Sequence, residues 1–176
     1  VSALDDIAWL LNLRGTDVHC NPVFVAYLLL STDKATLFID KAKLTPQVEE
    51  YLKAQDVGME SYDKVGEGLR EYFEYNILLD PEETSYTLYN IIASADSKAY
   101  AKSIVRHASP IPAMKAVKND VEIAGYHNAM LRDGVAMVKF LKWLKPAVAE
   151  GGQTEMSVDR KLTALRAEQS LFRGIS

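Results

Sequence analysis

The stretch from Lys118 to Ala149 constrains this chain more than any other. Ile123, Met130, Met137, Leu141 and Leu144 recur at intervals of three, four and seven residues, with Ala124, Leu131 and Val138 beside them. That spacing predicts one long amphipathic helix. Asp120 and Glu122 stand in its first turn and Lys139, Lys142 and Lys145 near its end, the arrangement that suits a helix dipole. Pro146 either ends the helix near Lys145 or bends its last turn. A rod of this length measures roughly 45 Å at 1.5 Å per residue. A chain of 176 residues has room for one good core and part of another, so the helix reads as a joint between two unlike parts.

Ahead of it the pattern is of strands and then alternation. Ile7 to Leu13 is apolar on both sides and reads as a central strand after Asp5-Asp6, ended by Arg14-Gly15-Thr16-Asp17. Val23 to Leu30 and Ala35 to Ile39 read as two more strands joined by a hairpin over Ser31-Thr32-Asp33-Lys34. Thr45 can cap a helix with Pro46 at its first position and Val48, Tyr51 and Leu52 on its apolar face. A short strand over Gly58–Tyr62 follows, then a helix capped by Asp63 with Val65, Leu69, Tyr72 and Phe73 inward, weakened by Gly66 and Gly68. A strand over Asn76–Leu79, a helix from Thr84 or Ser85 with Leu88, Ile91 and Ile92 inward, a strand over Lys102–His107 and a helical piece over Ala113–Val117 complete the series. The expected fold is α/β, a mixed β-sheet flanked by helices over residues 1–116. Residues 117–176 hold the long helix, a stop at Gly151-Gly152, and a last helix from Thr154 to about Ser170.

Composition narrows the function. A hydrophobic fraction of 48% and a charged fraction of 25% describe an ordinary globular protein. The net charge of −4 offers no basic surface for nucleic acid. The longest apolar run, Val23–Leu30, is too short to cross a bilayer, so no membrane partner is expected. The single cysteine, Cys20, leaves no internal disulfide and suits a reducing, cytoplasmic setting. The chain starts at Val1 in sequence that already reads as ordered, as a piece of a longer protein would.

Chemistry-bearing motifs are sparse. His19, His107 and His127 lack metal-site spacing, and the expected metal ligands are none. His19-Cys20 reads as a loop with a buried or half-buried thiol, and His127 as part of a polar helix face. Gly66-Glu67-Gly68 is no dinucleotide loop, since it follows no strand and lacks a third glycine. Asp5-Asp6 and Glu82-Glu83 read as solvated turn or helix-end charges. Arg14, Asp17 and Asn21 lie in a loop after a buried strand, at a strand end where α/β sheets place ligands, and are the candidate substrate-cleft residues. The alternative for Arg14 is a contact with Asp17 that only shapes the loop. No catalytic residue is expected.

Two strings resemble a known family. Leu4-Asp5-Asp6-Ile7-Ala8-Trp9-Leu10-Leu11-Asn12-Leu13-Arg14-Gly15-Thr16-Asp17, with Asn21-Pro22-Val23-Phe24, is similar to the middle domain of three-domain Xaa-Pro aminopeptidases. Ala116-Val117-Lys118-Asn119, Glu122, Gly125, Ala129, Arg132-Asp133-Gly134, Ala136 and Trp143 resemble the start of their catalytic domain. Gly151-Gly152, Thr154-Glu155, Leu162 and Arg166 fit that domain's second helix, and residues 41–109 match only in pattern.

The resemblance implies a creatinase-like α/β domain at 1–116 and, at 117–176, the first helices of a truncated "pita-bread" metallopeptidase domain. It implies a parent enzyme that removes an N-terminal residue preceding proline with two divalent metals, manganese commonly. The metal ligands of such enzymes would all lie past Ser176, which implies that this portion is inactive alone. It also implies that the α/β domain borders the substrate cleft and that the parent is a homodimer. A non-catalytic, peptidase-like protein-binding module and a prolidase- or creatinase-type enzyme are the alternatives.

Overall fold

The computed structural model describes residues 1–96 and 103–174. They form two compact units: 1–18 with 22–115, and 19–21 with 116–174.

The first unit opens with helix α1, Leu4–Leu10, where the sequence predicts a strand over Ile7–Leu13. A short apolar run fits either element by periodicity alone. The deciding signals are Asp5 and Asp6 in the first turn, which favour the helix dipole. Asn12 then turns the chain in a left-handed conformation (φ 49°). Strands β1, Ala26–Leu30, and β2, Ala35–Ile39, pair antiparallel as the hairpin reading expects, with Leu28 opposite Leu37. Helix α2, Pro46–Ala54, starts where Thr45 accepts a hydrogen bond from the Val48 N–H at 3.3 Å. It returns the chain to β3, Val57–Ser61, which lies parallel to β2. The order β1-β2-β3 makes this sheet mixed.

Helix α3, Val65–Arg70, and β4, Asn76–Leu79, follow. Helix α4, Tyr86–Asp96, has Ser85 at its start, whose hydroxyl accepts from the Leu88 N–H at 3.4 Å. Strand β5, Ser103–Arg106, pairs parallel with β4 in a separate two-stranded sheet. Of the predicted strand over Lys102–His107, Lys102 lies outside the described residues. Helix α5, Ile111–Ala116, ends the unit's run.

The sheet residues divide the core by alternation. Ala26, Leu28, Leu37 and Ile39 pack with Ile7, Ala8 and Leu11 of α1 and Leu52 of α2. Tyr27, Leu29 and Phe38, facing the other way, pack with Val65, Leu69, Leu88 and Ile92, and so do Ile77 and Leu79 of β4. The two small sheets thus present one common face to α3 and α4. Gly68 permits this approach, because a Cβ there would lie 2.3 Å from the ring of buried Phe38.

In the second unit, helix α6 runs Asp120–Glu150 and passes through Pro146 without ending. Asn119 and Glu122 form a reciprocal capping box at its start, and Gly151 (φ 81°) closes its end. Helix α7, Glu155–Ala167, begins with a second box built by Thr154 and Ser157. The two helices pack through Ala136, Phe140 and Leu165, flanked by Met137, Trp143 and Leu144. Arg166 of α7 donates from Nε to Asp133 Oδ1 of α6 at 2.7 Å. Of the predicted stripe, Met137 and Leu144 join this contact, whereas Ile123, Met130 and Leu141 are exposed. Among the described residues no helix is long and apolar enough to cross a membrane.

Candidate functional site

The loop after α1 is held by the backbone first. Gly15 N–H donates to Pro22 O at 3.2 Å, and Asp17 N–H to Val23 O at 3.3 Å. A Cβ at Gly15 would meet Phe24 Cβ at 2.7 Å, so only glycine lets the two segments run this close.

Arg14 donates from Nη1 to Ala8 O and to Leu13 O, both at 2.9 Å. Ala8 is one of the last carbonyls of α1, where positive charge is favourable. The residue is exposed, and its guanidinium fork carries five donors, more than these two carbonyls occupy. Asp17 accepts from Val25 N–H at 2.7 Å and from Lys43 Nζ at 2.6 Å. The Lys43 hydrogen bond, with the Val25 N–H behind it, holds the Asp17 carboxyl below the usual range. Asp17 therefore spends its charge on Lys43, across 26 positions of chain. Asn21 is exposed and belongs, with His19 and Cys20, to the second unit.

The other charged cluster gathers at the start of α1. Lys115 of α5 donates to Asp6 at 2.7 Å and also to Asp5. Asp6 is 1% exposed, so it is not the solvated helix-end charge that the sequence suggests. A lysine far along the chain stands in for water. Nothing near Asp6 in the sequence marks Lys115 as its partner, and Lys43 is just as unmarked as the partner of Asp17.

The remaining candidates divide between the units. His107 is exposed in the first unit, and His19 and the exposed His127 belong to the second. Cys20 is half-buried in a left-handed conformation (φ 62°), its thiol directed at Arg173 O at 3.7 Å. Among the described residues, no three His, Cys, Asp or Glu side chains are grouped to hold a metal. The acidic pair at α1 is already engaged by the Lys115 ammonium. The residues present do not fit a dinuclear metal centre, and no catalytic step through metal is derived from them.

Comparison with known proteins supplies what the loop geometry leaves open. Residues 1–122 match the family described as the creatinase/prolidase N-terminal domain. The whole chain is 38% identical to Xaa-Pro aminopeptidase 1 of Dictyostelium discoideum and 37% identical to Xaa-Pro aminopeptidase ApepP of Drosophila melanogaster. It spans 28% of the length of each. Among solved structures it is similar to X-prolyl aminopeptidase from Caenorhabditis elegans, described as a cytosolic enzyme with a di-nuclear active site. The TM-score is 0.80 at 30% identity, over 95% of this chain and 27% of that one. The fold just described, and a family match over more than two-thirds of the sequence, agree: the chain belongs to the creatinase/prolidase N-terminal domain family and is homologous over its whole length to Xaa-Pro aminopeptidases.

Proposed function

We propose that this chain is part of a cytoplasmic, metal-dependent Xaa-Pro aminopeptidase, which removes an N-terminal residue from peptides with proline at the second position. One observation carries the reading: similarity at 38% and 37% identity over the entire chain to two proteins of that name. In this reading residues 1–116 are the α/β domain, and 117–176 are the first helices of the metallopeptidase domain. Two divalent metals, manganese in our proposal, are held by residues outside this sequence. The di-nuclear site of the Caenorhabditis relative supports the number. Metals of this kind lower the pKa of a bound water and polarise a carbonyl.

The residues of this chain serve binding and assembly. The loop carrying Arg14, Asp17 and Asn21 borders the substrate cleft. Its support is the exposed Arg14, a fork suited to carboxylates and peptide carbonyls, held by two carbonyls of its own segment. The exposed apolar side chains of α6, among them Met130, Leu131, Val138 and Leu141, make a face through which this chain packs against another copy of itself.

The test is made on the full-length protein with two peptides, one with proline second and one with alanine there. Release of the first residue from the proline peptide alone, abolished by a chelator and restored by manganese, is the expected result. Equal cleavage of both peptides contradicts the reading.

A further inference from the structure

Gly58 lies inside β3 without a backbone reason to be glycine. It is not among the glycines in the left-handed region, which are Gly151, Gly152 and Gly174. A Cβ on Gly58 would meet Ala35 O and Thr36 Oγ1 at 3.5 Å, an ordinary contact. Glycine weakens a strand, and one that the backbone does not require often marks a place where a ligand comes close.

The space beside Gly58 is a cleft of 290 Å³ between one face of the sheet and α3, at the small end of ligand pockets. Thr36 of β2, the register partner of Gly58, lines it. Thr36 is 7% exposed, and its hydroxyl is buried with no hydrogen-bond partner. Buried hydroxyls are nearly always paired, so an orphan in the wall of a cleft points to a guest.

The charges around the cleft say which guest. Lys34 and Glu71 satisfy each other at 2.8 Å. Glu60 of β3 and Lys64 and Glu67 at the start of α3 are exposed, and none of the three is in an ion pair among the described residues. The acidic side chains of the described residues are not grouped to hold a metal ion, so the guest is organic. Two negative charges and one positive charge remain to be matched.

We propose that this cleft binds a free amino acid with a cationic side chain, such as lysine. Its two ammonium groups match Glu60 and Glu67, and its carboxylate matches Lys64. The Thr36 hydroxyl, donor and acceptor at once, meets whichever polar end reaches deepest. A neutral amino acid leaves one carboxylate unmatched, and a diamine leaves Lys64 unmatched. Every lining residue falls between Lys34 and Glu71, so the cleft is built wholly within the first unit. This inference is independent of the peptidase reading.

The test titrates L-lysine into the 176-residue chain and into the full-length protein by calorimetry. L-norleucine, which lacks the side-chain ammonium, and cadaverine, which lacks the carboxylate, are the comparisons. Saturable millimolar binding of lysine to both proteins is expected, with the two analogues weaker by roughly tenfold or more. Gly58→Val fills the cleft and Glu67→Gln removes one carboxylate at an exposed position, and each is expected to weaken lysine binding by roughly tenfold. A thermal midpoint of Gly58→Val at or above the parent's shows that the fold is kept, and Glu67→Gln decides if it is not. No saturable binding, equal affinity for lysine and norleucine, or undiminished binding by Glu67→Gln overturns the inference. So does binding to the 176-residue chain that is lost in the full-length protein.

Discussion

Lys115 and Asp6 join the two ends of the first unit, with Nζ 2.7 Å from Oδ1 across 109 positions of sequence. The carboxylate is buried and the ammonium mostly so. Removing one member of such a pair leaves the other charge without its partner in a poorly solvated place. Lys115→Met is expected to destabilise the first unit by about 2–4 kcal/mol. Urea unfolding followed through Trp9, on the adjoining helix, measures it. Adding Asp6→Asn to Lys115→Met should recover much of the loss. If Lys115→Met alone unfolds at the parent's midpoint, the pair carries no stability.

A smaller change tests the close approach of α3 to the sheet. Gly68→Ala places a methyl 2.3 Å from the Phe38 ring, which is enclosed by the second apolar cluster. Alanine is the better helix former by about 1 kcal/mol, so propensity alone predicts stabilisation. The contact predicts the reverse, a loss of about 1–3 kcal/mol from overpacking. Thermal unfolding decides the sign. Gly125→Ala on α6, where a Cβ meets nothing within 4 Å, is the control and should stabilise.

In the 176-residue chain taken by itself, the amino group of Val1 makes stability depend on pH near neutrality. Burial lowers its pKa below the ordinary value of 8.0, with Glu83 and Asp6 pulling the other way. A cation with a lowered folded pKa is less welcome in the folded than in the unfolded state. Stability is therefore full above pH 8.0 and falls as pH drops from there to the folded pKa, then levels. Acetylating Val1 keeps the N–H donor to Leu28 and removes the charge. The acetylated chain should lose this slope and be the more stable of the two at pH 6. Chemical denaturation at pH 6 and pH 9 compares them, and an identical slope in both chains would contradict the account.

Self-association tests the exposed face of α6. Val138→Lys with Leu141→Lys alters two exposed side chains that lie outside the Ala136–Phe140–Leu165 contact. The helix content should be unchanged, while sedimentation shifts from dimer to monomer. A parent chain that already sediments as a monomer at tens of micromolar would remove this face from the account.

Much of this architecture is legible in the residues, and the failures have physical causes. The caps at Thr45 and Thr154 are local chemistry legible in the sequence, and Ser85 proves to be the cap of the Thr84–Ser85 pair. Asp63 caps nothing, since α3 begins at Val65 without a side-chain cap, and the box at Asn119 goes unread. The hairpin of β1 and β2 follows from two branched runs around a polar turn. Helix α1 was obscured because seven residues are too few for period to separate helix from strand, and its first-turn aspartates are a weaker signal than the apolar run. The stripe on α6 came out rotated because a helix apolar on several sides does not say which side a partner takes. That choice belongs to α7, through Leu165 and Arg166. In the candidate loop, position follows from turn chemistry, while the need for Gly15 comes from the close approach of Phe24, which only the fold reveals. Lys43 and Lys115 could not be foreseen, because pairing across 26 or 109 residues is a property of the fold.

The central claim is that this chain supports a peptidase without holding its chemistry. Assaying the purified 176-residue chain beside the full-length protein, with manganese, on one peptide carrying proline at its second position, tests this most directly. The account predicts release of the first residue by the full-length protein and none by the 176-residue chain. Turnover by the chain alone, abolished by a chelator, would contradict it.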